Sequence, residues 1–280
     1  MLNYSVAELR NKKTENMQAR HLDRRRYFME EAATTEKYFI PYLSRFIATS
    51  GVRVLEVGCG EGDNLLPFAR RACRVTGVDM SELRIRQAQT YFREEVAAAE
   101  LVCCDILDYD CRGRSFDLII MHDVVEHVPD KAALLSKLSC MLAPHGVVFV
   151  AFPPWQMPFG GHQQIARSRL LSRMPFVHLL PRAVYGHMLR LFGEDDFTIG
   201  ELMSIRQTRC TVEAFSRIAA RAGYAVADMR LWMINPHYET KFGLRPLVLP
   251  LLLRMLPYVR NFLSSSCFYV LRRSRRCCLR

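Results

Sequence analysis

The sequence predicts an α/β protein built on a doubly wound parallel sheet. Three observations carry that expectation. From residue 52 onward, short apolar β-branched runs alternate with helical segments. The first run leads into a glycine-rich turn, and acidic residues close the second and third runs. Strand–helix alternation at this spacing implies right-handed crossovers and helices on both faces of the sheet.

The elements follow in order. Residues 1–50 read as an N-terminal helical segment, with aromatics at helical spacing across 27–47 and Pro41 expected to break the helix. VRVLEV (52–57) is the first strand, short and continuously apolar as a buried parallel strand should be. A helix at 65–72 leads to RVTGVD (74–79). Helix 81–98 leads to ELVCCD (100–105), and FDLIIM (116–121) and HGVVFVAF (145–152) flank a helix at 130–142. These elements make 51–152 a core unit. The rhythm is then lost over 153–210, a Pro-, His-, Arg- and Leu-rich insertion with a helical stretch near 179–192, expected to form a lid. Segment 211–280 completes the core: Thr211 caps helix 212–222, Gly223 stops it, and strands follow at 224–234 and 266–273 around an irregular apolar insertion, 235–265. That makes seven strands.

At 280 residues, half of them hydrophobic, the chain can bury a large core. The ten cysteines form no CxxC pair, and with no apolar leader in MLNYSVAELRNKK they suggest a reducing cytoplasm. The formal charge is +11, with excess arginines and lysines at both ends. Such ends are either solvated or in contact with anionic lipid headgroups or nucleic acid. The run 244–263 is divided by Arg254 and punctuated by Pro246, Pro250 and Pro257, so it is no transmembrane helix. It reads as a lid or core element, or as a helix lying on a lipid surface, which would make the protein peripheral to a membrane.

The strongest chemical signal is LEVGCGEGDNL (55–65). Gly58, Gly60 and Gly62 give GxGxG, not the dinucleotide GxGxxG, and the P-loop motif is absent. Glu56 precedes the turn and no lysine or arginine lies inside it, which suits a zwitterion and a sulfonium better than a pyrophosphate. Asp79 can accept from both ribose hydroxyls, a feature an NAD site shares. Asp105, at the end of the third strand, can reach an adenine amino group and moves the reading away from NAD.

With FDLIIMHDVVEHVPD (116–130) and MLAPHGVVFVAFP (141–153) added, the stretch from Val52 to Pro153 resembles the small-molecule class I S-adenosylmethionine-dependent methyltransferases, including ubiquinone and menaquinone biosynthesis enzymes. The resemblance implies a Rossmann-like seven-stranded sheet, mostly parallel with the last strand antiparallel. It implies S-adenosylmethionine as cofactor and S-adenosylhomocysteine as product. It maps the methionine part onto Glu56, Gly58, Gly60 and Gly62, the ribose onto Asp79 with Met80 beside it, and the adenine onto Asp105 with Ile106. Met121, His122 and Asp123 would line the methionine. Segments 153–210 and 235–265 are longer than this family needs, so the resemblance speaks for the cofactor more than for the acceptor.

Methyl transfer requires alignment, which at best supplies about 7–11 kcal/mol, and a base where the acceptor is a hydroxyl, adding roughly 10²–10⁴-fold. The candidate catalytic residues are His127, His162 and His237, with Tyr238 and Glu239 as further acceptor contacts. His178 and His187 read as packing residues. Asp123, Glu126 and His127 resemble the acid-x-x-Glu-His arrangement with which quinone O-methyltransferases hold a divalent cation, yet three side chains on one turn make an incomplete shell, so a metal is not favoured. Phe152, Trp155, Phe159 and Phe176 are expected to roof a pocket for a small hydrophobic or aromatic acceptor, lipid-linked in one version of this reading, methylated most simply at oxygen.

Two rival functions remain. An RNA or DNA methyltransferase fits the charge, but the fourth strand ends in MHDVVEH where [DN]PP[YF] would be needed, and no nucleic-acid module is appended, so nucleic acid is a disfavoured partner. A non-catalytic scaffold on the same fold would show a damaged cofactor site, whereas here the glycines and both distal acids stand intact. The sequence leaves the oligomeric state open.

Overall fold

A computed structural model describes residues 23–274; the chain ends beyond them, including Arg275, Arg276 and Arg280, lie outside the described residues. The first helix, α1 (Arg24–Thr34), starts at Asp23, whose carboxylate accepts from the Arg26 N–H at 2.9 Å. It runs through a π-helical turn (Thr35–Phe39) into α2 (Ile40–Leu43). The break expected at Pro41 is therefore absent. The ladder widens to five residues just before it, with Ile40 N–H bonding to the Thr35 carbonyl, and this shifted register accommodates the N–H that proline lacks.

The sheet contains β1 (Arg53–Val57), β2 (Arg74–Asp79), β3 (Glu100–Cys103), β4 (Phe116–His122), β5 (Leu142–Phe152), β6 (Tyr224–Ile234), β7 (Leu247–Val248) and β8 (Ser266–Arg273). Their order is β3-β2-β1-β4-β5-β8-β6-β7. The first five strands are mutually parallel. β8 inserts antiparallel between β5 and β6. The sheet thus has eight strands and not seven, the extra one being the two-residue edge strand β7, too short to read from periodicity. Strand order reverses between β1 and β4, so the loops leaving their carboxyl ends part and open a crevice, the usual ligand position in such sheets.

Alternate residues of each strand feed two buried layers. Leu55, Val57, Ile119, Met121 and Phe152 face one side, joined by Phe215 and Tyr269. Val54, Leu118, Ile120, Phe149 and Phe268 face the other, covered by Phe28 and Phe39 of the N-terminal helix. Each fully buried aromatic of this kind is worth about 1.5–3 kcal/mol relative to exposure, which ties the N-terminal helix firmly to the sheet.

Between strands run α3 (Leu66–Ala69), α4 (Glu82–Glu94) and α5 (Lys131–Met141), the last capped by Asp130 on the Ala133 N–H at 2.8 Å. The insertion after β5 contains three short 3₁₀ turns, then α6 (Arg182–Leu191) and a second helix, α7 (Asp196–Thr208), which the sequence pattern did not announce. It has a small core of its own around Leu171, Val177, Tyr185, Leu189 and Leu202. Helix α8 (Val212–Arg221) begins as expected at Thr211, whose hydroxyl accepts from Ala214 N–H at 3.0 Å, and ends at Gly223 with φ of 82°. The irregular 235–265 segment folds as α9 (His237–Phe242), α10 (Leu251–Arg254) and α11 (Val259–Leu263). No helix among the described residues is long and apolar enough to cross a membrane.

Candidate active site

The carboxyl ends of β1, β2 and β4 meet at the glycine loop. Gly58, Gly60 and Gly62 all have positive φ, at 66°, 54° and 80°. At Gly58 a Cβ would stand 2.5 Å from Val124 Cγ2, so both backbone conformation and space demand glycine there. The loop is tied to the second strand by Asp79, whose carboxylate accepts from Gly60 N–H at 2.9 Å and Ser81 N–H at 2.8 Å. A carboxylate has about four acceptor positions, so Asp79 retains capacity for the two hydroxyls of a ribose. Met80 beside it is 72% exposed, and Asp105 and Ile106 follow β3 on the same edge.

Behind the loop lies a buried acidic pocket. Glu56 is 1% exposed; one carboxylate oxygen accepts from Asn64 Nδ2 at 2.7 Å and the other has no partner. Asn64 is held in turn by the Thr35 hydroxyl at 2.5 Å and lies 3.4 Å from His122 Nδ1. Burial pushes the Glu56 carboxyl well above the carboxylate range, and the charge of Asp63 adds to this. Asp63 is itself raised to about 7 by burial and by Glu61. Glu31 of α1 is likewise raised, by burial first and Asp63 second. Three carboxylates crowded in low dielectric lower their energy by protonation or by a cation. A ligand carrying an ammonium and a sulfonium supplies that charge.

Asp123, at the mouth, influences two groups of side chains. On one side, His237 from α9 lies with Nε2 3.3 Å from the Glu31 carboxylate and Nδ1 3.4 Å from the Thr34 hydroxyl, its ring edge-on to Tyr27. On the other, Glu126 lies with Oε1 3.9 Å from His127 Nε2 and 4.0 Å from His162 Nε2, and the two imidazoles meet edge-to-face at 5.0 Å. Both Glu126 oxygens are buried without a hydrogen-bond partner, and burial drives its pKa well up, aided by Asp123. Burial lowers all three histidines, His162 and His237 to about 4, so the rings are neutral at pH 7 and able to accept a proton. His127 borders an open groove of about 590 Å³ lined by Asp196, Phe197, Gly200, Glu201 and Ile205.

Several expectations are revised. The trio is Glu126, His127 and His162, not Asp123, Glu126 and His127. Asp123 sits in a bend with φ of 51°, and its side chain stays half exposed, with Oδ2 3.7 Å from His122 Nε2. Met121 is fully buried in the core at the end of β4, and His122 reaches the loop, packed edge-on to Phe39. Three of the four expected roof aromatics lie elsewhere, Phe159 being half-buried in the lid. Phe152 is core, Trp155 packs on His178, and Phe176 turns outward to Phe262. His178 is a packing residue as read, its Nε2 2.7 Å from the Trp155 carbonyl, but His187 is exposed on α6. Glu239 pairs with Lys37 and Tyr38 at 2.7 Å, clamping α9 to the N-terminal helix. Glu31, Asp63 and Asn64 were missed. The signal for Glu31 was available, since paired acids at 30–31 interrupt an apolar, aromatic helix.

The fold is that of class I S-adenosylmethionine-dependent methyltransferases. Within it, residues 54–146 match the family model described as a methyltransferase domain. The ubiquinone biosynthesis O-methyltransferase of Rhodopseudomonas palustris (strain BisB5) is 34% identical over 102 residues, 36% of this chain and 40% of that protein, so the match spans well under half of the relative's length. The magnesium protoporphyrin IX methyltransferase of Synechocystis PCC 6803, solved with bound S-adenosylhomocysteine, superposes with a TM-score of 0.53 at 16% identity, covering 98% of this chain and 90% of that one. An S-adenosylmethionine-dependent methyltransferase from Clostridium acetobutylicum ATCC 824 gives 0.53 at 11% identity, covering 86% and 92%.

Proposed function

We propose that this chain is an S-adenosylmethionine-dependent O-methyltransferase acting on a small hydrophobic or aromatic hydroxyl compound, free or lipid-linked. The observation that carries it is the Gly60–Asp79 tie across the carboxyl ends of β1 and β2, set over Glu56, whose Oε2 is buried without a hydrogen-bond partner. When bound, S-adenosylmethionine supplies an electrophilic methyl group on a cationic sulfur. The protein's part is to hold and align. Glu56, Asp63 and the glycine loop would take the zwitterionic end, Asp79 with Met80 the ribose, and Asp105 with Ile106 the adenine. An acceptor entering by the groove beside His127 would meet a neutral imidazole able to take its hydroxyl proton. Glu126, charged or protonated, would orient His127 and His162 on that path. Oxygen as the acceptor atom is supported by the similarity to a ubiquinone biosynthesis O-methyltransferase.

Glu126, His127 and His162 also fit a divalent cation, because the unpartnered carboxylate and two neutral imidazoles are three ligands converging within 4.8 Å. A cation there would polarise an acceptor oxygen. Turnover that persists in chelator would remove this second reading.

The test is calorimetric titration with S-adenosylhomocysteine beside Asp79→Ala, followed by turnover on hydrophobic phenols. Micromolar binding that Asp79→Ala weakens at least tenfold supports the proposal. A folded protein that binds nothing returns the chain to the scaffold alternative.

A further inference from the structure

The lid and the 235–265 strap share a charge pattern that the reaction does not use. No Asp or Glu occurs between Asp130 and Glu194, and none after Glu239. In the first stretch Arg167, Arg169, Arg173, Arg182 and Arg190 all belong to the lid, and Lys241, Arg245, Arg254 and Arg260 belong to the strap. The fold brings the two stretches together, with Phe176 of the lid against Phe262 of the strap, ring centroids 6.3 Å apart.

The strap is held open-faced. Leu249 and Asn261 are buried and Leu253 packs on the core. Glu213 of α8 pins the far end, accepting from Tyr258 N–H at 2.9 Å, Arg260 Nε at 2.9 Å and Asn261 Nδ2 at 2.7 Å. With these anchors fixed, the remaining apolar side chains point outward: Leu252 is 81% exposed, Met255 68%, Tyr258 63% and Leu251 61%. On the lid, Leu170 and Leu191 are exposed in the same way. Isolated surface leucines need no explanation, but a run of this density does. On the lid, Arg182, Arg206 and Arg209 line a groove of about 360 Å³.

We propose that the outward face of the strap and lid, from Leu244 to Leu263 with α6, docks on an anionic lipid surface, the aliphatic side chains entering the acyl boundary and the arginines meeting headgroup phosphates. Charge complementarity selects this occupant. A second copy of the chain would set against each other two faces whose own segments, 182–191 and 244–263, carry arginines and no acids. A nucleic acid would satisfy the arginines but leave Leu251, Leu252 and Met255 against phosphate and water. A bilayer with anionic headgroups satisfies both sets at once.

The experiment is co-sedimentation of the full chain with phosphatidylcholine vesicles, with or without phosphatidylglycerol. Wild-type protein should pellet with the phosphatidylglycerol vesicles and stay largely soluble with phosphatidylcholine alone. Leu252→Glu with Met255→Glu should weaken vesicle binding by roughly tenfold or more, with an unchanged thermal melt. Arg182→Gln with Arg209→Gln should reduce the phosphatidylglycerol preference by roughly tenfold. The proposal is overturned if wild-type protein ignores both vesicles, or if the Leu252→Glu, Met255→Glu variant pellets like wild type. It is also overturned if the apolar variant instead disperses a dimer present without vesicles, or if binding to bulk RNA at physiological salt exceeds binding to vesicles. None of these readouts depends on the transfer reaction.

Discussion

The half of the molecule that carries the glycine loop and the half made of the lid and strap bury their side chains by different rules. From β1 to β5, the apolar residues of every strand but the edge strand β3 are enclosed, and acids (Glu56, Glu61, Asp63 and Glu126) predominate among the buried polar groups. Across 153–210 and 235–265, packing is shallow: a small separate core in the lid, short helices in the strap, and large aliphatics left in solvent. The first half is built to hold one ligand in one geometry. The second is built to present a surface, and it reaches the site through a few contacts, chiefly His162 beside Glu126 and His237 beside Glu31. Lys131 joins the halves, its ammonium donating to the carbonyls of Val128 and Thr208. Ligand recognition and surface presentation are therefore separable in this molecule, and three measurements test that division.

The largest effect should come from Gly58→Ala. The substitution strains a left-handed backbone position, at about 1–2 kcal/mol, and drives a methyl into Val124, at about 1–3 kcal/mol more. Chemical denaturation should register the loss of stability, and S-adenosylhomocysteine affinity should fall with it. Wild-type affinity in a well-folded Gly58→Ala protein would detach the loop from the ligand.

Gly161→Ala is the counterpart in the lid. A Cβ there would stand 2.2 Å from His178 Cβ, a clash costing about 1–3 kcal/mol. Limited proteolysis should cut the lid faster while S-adenosylhomocysteine affinity stays within about twofold, because the site's acids and glycines lie in the other half. Equal loss of ligand affinity in this variant would show that the halves are coupled, contrary to the division drawn above.

The smallest effect is a pH dependence. Asp63 has its pKa raised to about 7 in the folded protein. A raised acid stabilises the fold below its unfolded pKa, near 4, and that contribution is lost as pH rises through about 7. A cationic ligand has the opposite preference, since it favours ionised Asp63. S-adenosylmethionine affinity should therefore rise as pH increases from 6 to 8, with protons released on binding, by up to about tenfold per unit below the pKa. Calorimetry in buffers of different ionisation enthalpy measures the release, and Asp63→Asn should flatten it. A flat wild-type profile would mean that Asp63 takes no part in binding.

The sheet and the ligand-binding end were legible in the sequence because their signals are local. A buried parallel strand is a short apolar run, a tight loop needs its glycines, and the acids follow their strands directly, so β1 to β5, Asp79 and Asp105 stood where the alternation put them. Capping was equally local, as Thr211 and Gly223 show. Pro41 misled because the helix could change its hydrogen-bond register just upstream, a choice no single residue announces.

The sequence by itself determined the fold class, the cofactor end and the candidate histidines. Tertiary structure decided which of those side chains meet. Glu126 pairs with His162 and Asp123 does not, and Glu31 faces His237 across more than two hundred residues of chain. It also decided that Leu253 is tucked in while Leu252 is exposed, although the two are adjacent and chemically identical. The reason is physical: periodicity encodes which way a side chain points from its own element, but contacts between distant elements are set by how the elements pack. Burial, desolvation and pKa all follow from that packing.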